Sequence, residues 1–323
     1  MKEDSCGKPS APGFGRRLSS CVKEALPGAL KTIWWVVRIT AIVSVLIYIL
    51  RLTGALPWLS RSLSPVMSFI GLPGEASLAY VSGYFVNVYS AIAACASLNL
   101  SARSVTILAV LVMCSHNMIV ETAVQKKTGS SALRIVLVRT LSGIVLAFVL
   151  NKILPPEQQG NVGQVVEEKI TLSDSFLPWA VSLLKLCLKM TVLIFLLSIV
   201  QKMLDEFGIM KVLTGIVKWP LKLFGLSENS SFLWIVANTL GLAYGAAVMF
   251  QEKECGHIGE RDIQLLNTHI CISHSNIEDL ILFVSIGGIW WIILLSRWAG
   301  SLLLVWGQRL EFHIRDRFTK FAG

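Results

Sequence analysis

Apolar runs of about 20 residues recur along this chain from Ile33 almost to its C-terminus, and that recurrence narrows its folds more than any motif does. Each run is long enough to cross a hydrocarbon core of about 30 Å as a helix. The chain therefore reads as an all-α polytopic membrane protein. Composition agrees: 54% of the 323 residues are hydrophobic, 15% are charged, and the mean hydropathy is +0.65, whereas soluble domains carry about 25% charged residues. The formal charge of +9 does not point to nucleic acid, because the basic residues lie in short tails and loops between the apolar runs, where the positive-inside bias puts them. The seven cysteines are scattered without a CxxC pair and are expected to be reduced thiols, several of them buried.

Taken in order, residues 1–31 are expected to form a basic cytoplasmic tail, its second half amphipathic with Leu18, Val22, Leu26 and Leu30 at helical spacing. Residues 32–154 then hold full spans at 33–52, 76–97, 104–124 and 133–154. Between the first two lies an interrupted segment, 54–74, carrying Pro57, Arg61, Pro65, Gly71, Pro73 and Gly74. Such interrupted segments sit beside the sites of transporters. After an acidic linker at 155–174 the pattern starts again over 175–308, with an interrupted segment at 208–230, and ends in a basic cytoplasmic tail at 309–323. About eight full spans and two short, interrupted or re-entrant segments are expected.

Two segments inside these runs carry unusual polarity. Ser115-His116 is followed by Ile119 and Glu121, and Ser273-His274 by Ile277 and Asp279. Ionisable residues at bilayer depth mark functional sites by default. His116 and His274 are 158 residues apart, and so are Arg139 and Arg297, so two polar positions in successive spans keep one register and the chain reads as an internal duplication. Loop charges favour an inverted pair of halves: if each interrupted segment crosses, Lys126, Lys127, Lys202, Lys211, Lys253 and Arg261 fall on the inner side.

The expected solute-binding set is His116, Asn117, Glu121, His274, Asn276, Glu278 and Asp279, joined by Asn87, Asn238, Arg139 and Arg297. In an unbroken helix His116 and Glu121 point about 140° apart, so they meet only if the helix unwinds; otherwise they serve different partners. Asn87, Asn238, Ser115 and Ser273 are equally readable as interhelical hydrogen bonds, and Tyr89 and Tyr244 as packing residues. A metal reading uses His116, Glu121, His274 and Asp279, with Cys114 and Cys271 nearby. Against it, the intramembrane cations Arg38, Arg139, Lys189 and Arg297 outnumber the acids, which suits an organic solute with an anionic group. No HExxH, GxSxG, P-loop or dinucleotide-binding pattern occurs, so no catalytic residue and no cofactor is expected.

Gly71-Leu72-Pro73-Gly74-Glu75-Ala76, the segment from Ser115-His116-Asn117 to Glu121-Thr122, and Gln125-Lys126-Lys127-Thr128-Gly129 resemble the bacterial nucleoside-recognition, or Gate-domain, membrane proteins. Those are similar to the Gate regions of ferrous-iron permeases, concentrative nucleoside transporters and spore maturation membrane proteins. The likeness runs from about Trp34 to Trp306. The second half departs from it, with Gly225-Leu226-Ser227-Glu228 in place of the first motif and no Lys-Lys-Thr-Gly turn after Asp279. The resemblance implies an internally duplicated helical membrane fold with discontinuous segments, and substrates ranging from nucleosides to Fe²⁺.

Together these readings lead to an expected function: transport of a small polar solute, nucleoside-like or anionic, across the cytoplasmic (inner) membrane of a bacterium, with alternating access between two halves. The alternatives are a divalent-metal permease of the Fe²⁺ type and a non-transporting membrane scaffold or subunit. The expected partners are the lipid bilayer, a small-molecule solute, and a second copy of the chain or a partner membrane subunit, with no nucleic acid.

Overall fold

The computed structural model describes residues 14–53, 55–156, 172–239, 241–242, 245, 249, 252–253, 256 and 258–321. Most of the linker expected at 155–174, and Tyr244, lie outside these. Every regular element among the described residues is helical.

Helix α1 (Phe14–Leu52) runs unbroken through Pro27, so the amphipathic stretch expected to belong to the tail is continuous with the first span. Its partner explains this. Helix α8 (Leu172–Glu206) lies antiparallel along α1, tied by Arg17 Nε to Glu206 Oε1 at 2.8 Å, by Trp179 Nε1 donating to Ser44 Oγ at 3.0 Å, and by Tyr48 stacked on Trp179 at 4.6 Å. Ala25 and Ala29 of α1 are small and buried, and Cys21 Sγ contacts the Lys202 carbonyl of α8. The C-terminal stretch expected as a tail from 309 is likewise the end of one helix, Trp290–Phe321.

The interruptions fall elsewhere than the prolines suggest. Residues 54–74 contain a single helix, α2 (Ala55–Phe69), with Pro65 inside it, and the second such segment contains α9 (Ile209–Leu223) with Pro220 inside. The breaks lie instead within the stretches expected to be continuous spans. Residues 76–97 form α3 (Ala76–Phe85) and α4 (Val88–Ala96); residues 104–124 are divided between α5 (Ala102–Ser115) and α6 (Met118–Lys127), bent by 40°. Helix α7 (Ala132–Ile153) is whole. The second half has α10 (Ser231–Thr239), α11 (Glu260–Ile270), α12 (Glu278–Ser285) and α13 (Trp290–Phe321). Among the described residues four helices are long and apolar enough to cross a membrane, Arg17–Leu46, Ala132–Ile153, Phe176–Leu204 and Trp290–Thr319, and the bent pair α5 and α6 makes a fifth if it is one span.

Asn87 shows why a sequence this apolar breaks. Its backbone is extended, its side chain accepts from Ser90 N at 2.9 Å, and Ser90 Oγ faces the Asn87 backbone in return. This reciprocal cap starts a new helix where hydropathy alone would have continued the old one.

Helix α5 is the central post: every residue from Ser104 to Ser115 is buried, as a helix apolar all round must be. Helix α7 presses closely on it, and α13 on α7, at small residues. A Cβ on Gly143 would come within 3.2 Å of the Leu111 carbonyl oxygen, and one on Gly300 within 2.9 Å of Leu146 Cδ1 and 3.2 Å of Ile272 Cδ1. The outer faces are the reverse. Leu137, Leu141 and Val145 of α7, Leu184, Leu188 and Val192 of α8, and Leu295 and Leu303 of α13 are exposed, so the molecule presents apolar flanks at helical spacing that a hydrocarbon layer covers.

Candidate functional site

At the break between α5 and α6, His116 is extended (φ −65°, ψ 158°) and Asn117 is left-handed (φ 49°, ψ 39°). Asn tolerates that conformation better than most residues. The second half is also interrupted at the corresponding place, over residues 271–277, where Ser275 has φ 48°. Each left-handed residue gives its N–H to a neighbouring helix: Asn117 N to the Gly83 carbonyl at 2.9 Å and Ser275 N to the Ala237 carbonyl at 3.3 Å.

Breaking a helix in a hydrocarbon layer frees carbonyls that must find donors inside the protein. Two arginines with no exposed surface supply them. Arg139 of α7 donates through Nε to the Cys114 carbonyl at 2.9 Å and through Nη2 to the His116 carbonyl at 2.8 Å. Arg297 of α13 donates through Nε to the Ile272 carbonyl at 2.7 Å and through Nη2 to the His274 carbonyl at 2.8 Å, with Nη1 on Asn276 Oδ1 at 2.8 Å. A guanidinium has enough donors in a fixed fork to hold two carbonyls and still face a carboxylate. Arg139 does so, its Nη2 lying 2.7 Å from Glu121 Oε2.

The unwound turn also answers the question left open by helical geometry, because it brings His116 and Glu121 together. His116 Nε2 lies 3.1 Å from Glu121 Oε1 and 3.5 Å from Asp279 Oδ2, and His274 Nε2 lies 3.2 Å from Glu121 Oε2. The two imidazole centroids are 5.1 Å apart. All four side chains are buried. His274 Nδ1 faces the Ile270 carbonyl at 2.7 Å, and since a carbonyl only accepts, that nitrogen carries the proton. In the neutral ring the lone pair is then on Nε2, opposite a carboxylate oxygen, an arrangement that becomes attractive when a proton or another cation lies between them. His116, Glu121 and His274 offer ligand atoms all within 4.8 Å of one another.

The remaining expected residues take other positions. Asn117 acts here through its backbone, with its side chain half-buried. Asn276 bridges Arg297 to Asn238, its Nδ2 donating to Asn238 Oδ1 at 2.6 Å, while Asn238 Nδ2 returns to the Trp234 carbonyl. Asn87 caps α4. Glu278 turns to the hydroxyl of Tyr89, so Tyr89, expected to be a packing residue, is a hydrogen-bond donor to an acid one position from Asp279. Its sequence signal was weak: a tyrosine two residues after a buried asparagine. The backbone acceptors of Cys114, His116, Ile272 and His274 have no sequence signal at all.

One expectation about charge is overturned. Arg38 and Lys189 are exposed, Lys189 reaching the Ser285 carbonyl; their long stems let the charged ends leave the packed interior. The buried charged side chains among the described residues are Arg139, Arg297, Glu121 and Asp279, with His116, His269 and His274 as further titratable groups. Cations therefore do not outnumber acids at the centre, and the preference for an anionic solute drawn from that excess falls.

An ionisable cluster assembled on two broken helices, within a helical body whose flanks suit lipid, defines a polytopic membrane protein with a buried polar centre. Residues 33–155 match the Gate family, described as nucleoside recognition. The chain is 30% identical over 283 residues to the uncharacterized membrane protein YvoD of Bacillus subtilis (strain 168), an alignment covering 86% of this chain and 91% of that one. No solved structure matches. The chain belongs to the Gate, or nucleoside-recognition, family of membrane proteins, a family associated with nucleoside-recognition membrane transport.

Proposed function

We propose that this protein transports a small polar solute across the cytoplasmic membrane of a bacterium, through the centre formed by His116, Glu121, His274 and Asp279. The observation that carries the reading is the convergence of these four buried side chains from the two halves of the chain, each pair on its own broken helix. Broken helices that line a midplane site are the usual construction of secondary transporters, and alternating access follows from one unit moving against the other. The 158-residue register supports two related units, since Cys114, His116, Glu121 and Arg139 answer to Ile272, His274, Asp279 and Arg297. On this reading the halves are inverted, both termini are cytoplasmic, and no step of the cycle is catalytic.

The test is uptake into vesicles reconstituted with purified protein. Glu121→Gln keeps the size of the side chain and removes the charge that faces both histidines and Arg139. It is expected to lower uptake about tenfold or more, the effect of about 1.4 kcal/mol at the rate-limiting barrier. Unchanged uptake by Glu121→Gln and by Asp279→Asn would remove the centre from the transport path.

A second reading, a divalent transition metal as the transported species, is favoured by one specific observation. His116 Nε2, His274 Nε2 and the Glu121 carboxylate converge within 4.8 Å, and the Nδ1–H of His274 is held by a backbone carbonyl, the outer-shell support typical of ligating histidines. Under this reading protein purified without chelator carries Zn²⁺ or Fe²⁺ in about a one-to-one ratio and loses it in His274→Ala. Metal-free protein that still accumulates an organic solute would exclude it.

A further inference from the structure

The centre leaves a second polar feature unexplained. A cavity of about 220 Å³ lies between the turn that joins α6 to α7 and the helices α11 and α13. Ser130, Asn267, Thr268 and Gln308 contribute polar groups to its wall. Asn267 is only 3% exposed; its amide nitrogen donates to Thr128 Oγ1 at 2.7 Å and to Ser130 Oγ at 2.9 Å, while among the described residues nothing donates to its Oδ1. Behind it and outside the cavity wall, Gln125, with no exposed surface, directs its amide nitrogen at the Asn267 backbone carbonyl, and among the described residues nothing donates to its own Oε1. Buried amide oxygens of this kind are rare unless water or a ligand completes them.

Charge and position sharpen the reading. Arg134, which also lines the cavity, is bound by both oxygens of Glu311 at 3.1 and 2.7 Å, so the guanidinium is already matched by a carboxylate. An ionic solute would have to leave water without a free partner, which is costly. The turn at the cavity follows the exposed Lys126 and Lys127. Two other lining residues, Val138 and Cys271, are the chain neighbours of Arg139 and Ile272, which belong to the centre.

We propose that this cavity is a second solute site, one that takes an uncharged molecule bearing hydroxyl or amide donors at the basic face, on the way to the buried centre. Its volume is below the range usual for ligand pockets, about 300 to 1,000 Å³, and suits a molecule the size of one sugar ring. The uncharged polar side chains of Ser130, Gln264, Asn267, Thr268 and Gln308 in its wall are the groups such a molecule would meet. The proposal stands apart from the choice of cargo at the centre, because different side chains carry it.

Native cysteines provide the test. Full-length wild-type protein in lipid vesicles is treated with a small water-soluble methanethiosulfonate, and modification of each cysteine is followed by peptide mass spectrometry. Cys271 at the cavity is compared with Cys95 and Cys114, all three being buried and free. Cys271 is expected to react about tenfold faster or more than either reference. D-ribose, the uncharged probe, at about ten times its dissociation constant should slow Cys271 about tenfold, whereas acetate and phosphate should not. Reaction at Cys271 no faster than at Cys114 would overturn the proposal by showing that water does not reach the cavity. Protection by phosphate in place of ribose, or by neither, would overturn the solute class. If ribose still protects Cys271 in Glu121→Gln while uptake is unchanged in that variant, the reading of the centre fails and the cavity proposal stands.

Discussion

Arg139 concentrates the residue-scale physics of this protein. Its guanidinium satisfies two carbonyls released by the break after Ser115 and neutralises Glu121 in the same stroke. Removing one member of such a buried pair leaves the other desolvated and unpaired, at about 3–5 kcal/mol. Arg139→Met is therefore expected to lower the melting point of the detergent-solubilised protein by several degrees. Arg139→Lys should recover little of it, because one ammonium cannot reproduce the planar fork. A melting point within a degree of wild type in Arg139→Met would show that the carbonyls find other donors. The importance of Arg139 and Arg297 was legible beforehand through their common register with the histidines. Their task was not, since main-chain oxygens carry no letter in a sequence. Arg38 and Lys189 show the opposite error: equally apolar surroundings in the chain, yet exposed in the fold, because hydropathy does not say which side of a helix faces the interior.

At the scale of the element, the decisive event is where helices stop. Pro65 and Pro220 sit inside α2 and α9 without ending them, while α5 ends at Ser115 with no proline or glycine to mark it. The stop is held from outside by the Gly83 carbonyl and Arg139, so local propensity could not announce it. Close packing is the other element-scale requirement. Gly300→Val would drive a branched side chain into Leu146 and Ile272 and should cost about 1–3 kcal/mol, as overpacking does. Gly307, on the same helix, meets nothing within 4 Å, and Gly307→Ala should be neutral or stabilising by up to about 1 kcal/mol through helix propensity. Equal melting points for the two variants would contradict the tight contact between α7 and α13.

For the whole molecule, the proposed inverted arrangement makes a topological prediction. If each half crosses the membrane an odd number of times, a reporter fused after Gly323 and one inserted at the turn near Gly129 both report the cytoplasmic side, and so does one at the N-terminus. A reporter at the turn that reads out on the opposite side from both termini would require parallel halves and would end the inverted-repeat reading. The α1 and α8 pair lies beside this body, antiparallel and tied mainly to itself along its outer part through Arg17 and Glu206. Under the proposed alternating access, that arrangement suits a lever or brace at the lipid boundary.

Length and apolarity of the runs determined by themselves that the chain is helical and built for a bilayer, since a hydrocarbon layer leaves the backbone few ways to satisfy its own polar groups. The shared 158-residue spacing of histidine, acid and arginine also stood in the sequence alone, as a pattern of covalent order. What only the tertiary structure decided is that His116, Glu121, His274 and Asp279 form one cluster while Glu278, adjacent to Asp279, turns to Tyr89. The reason is directional: a break of two residues rotates a side chain across a helix axis, and whether that break forms depends on donors and acceptors brought from helices far away in the chain.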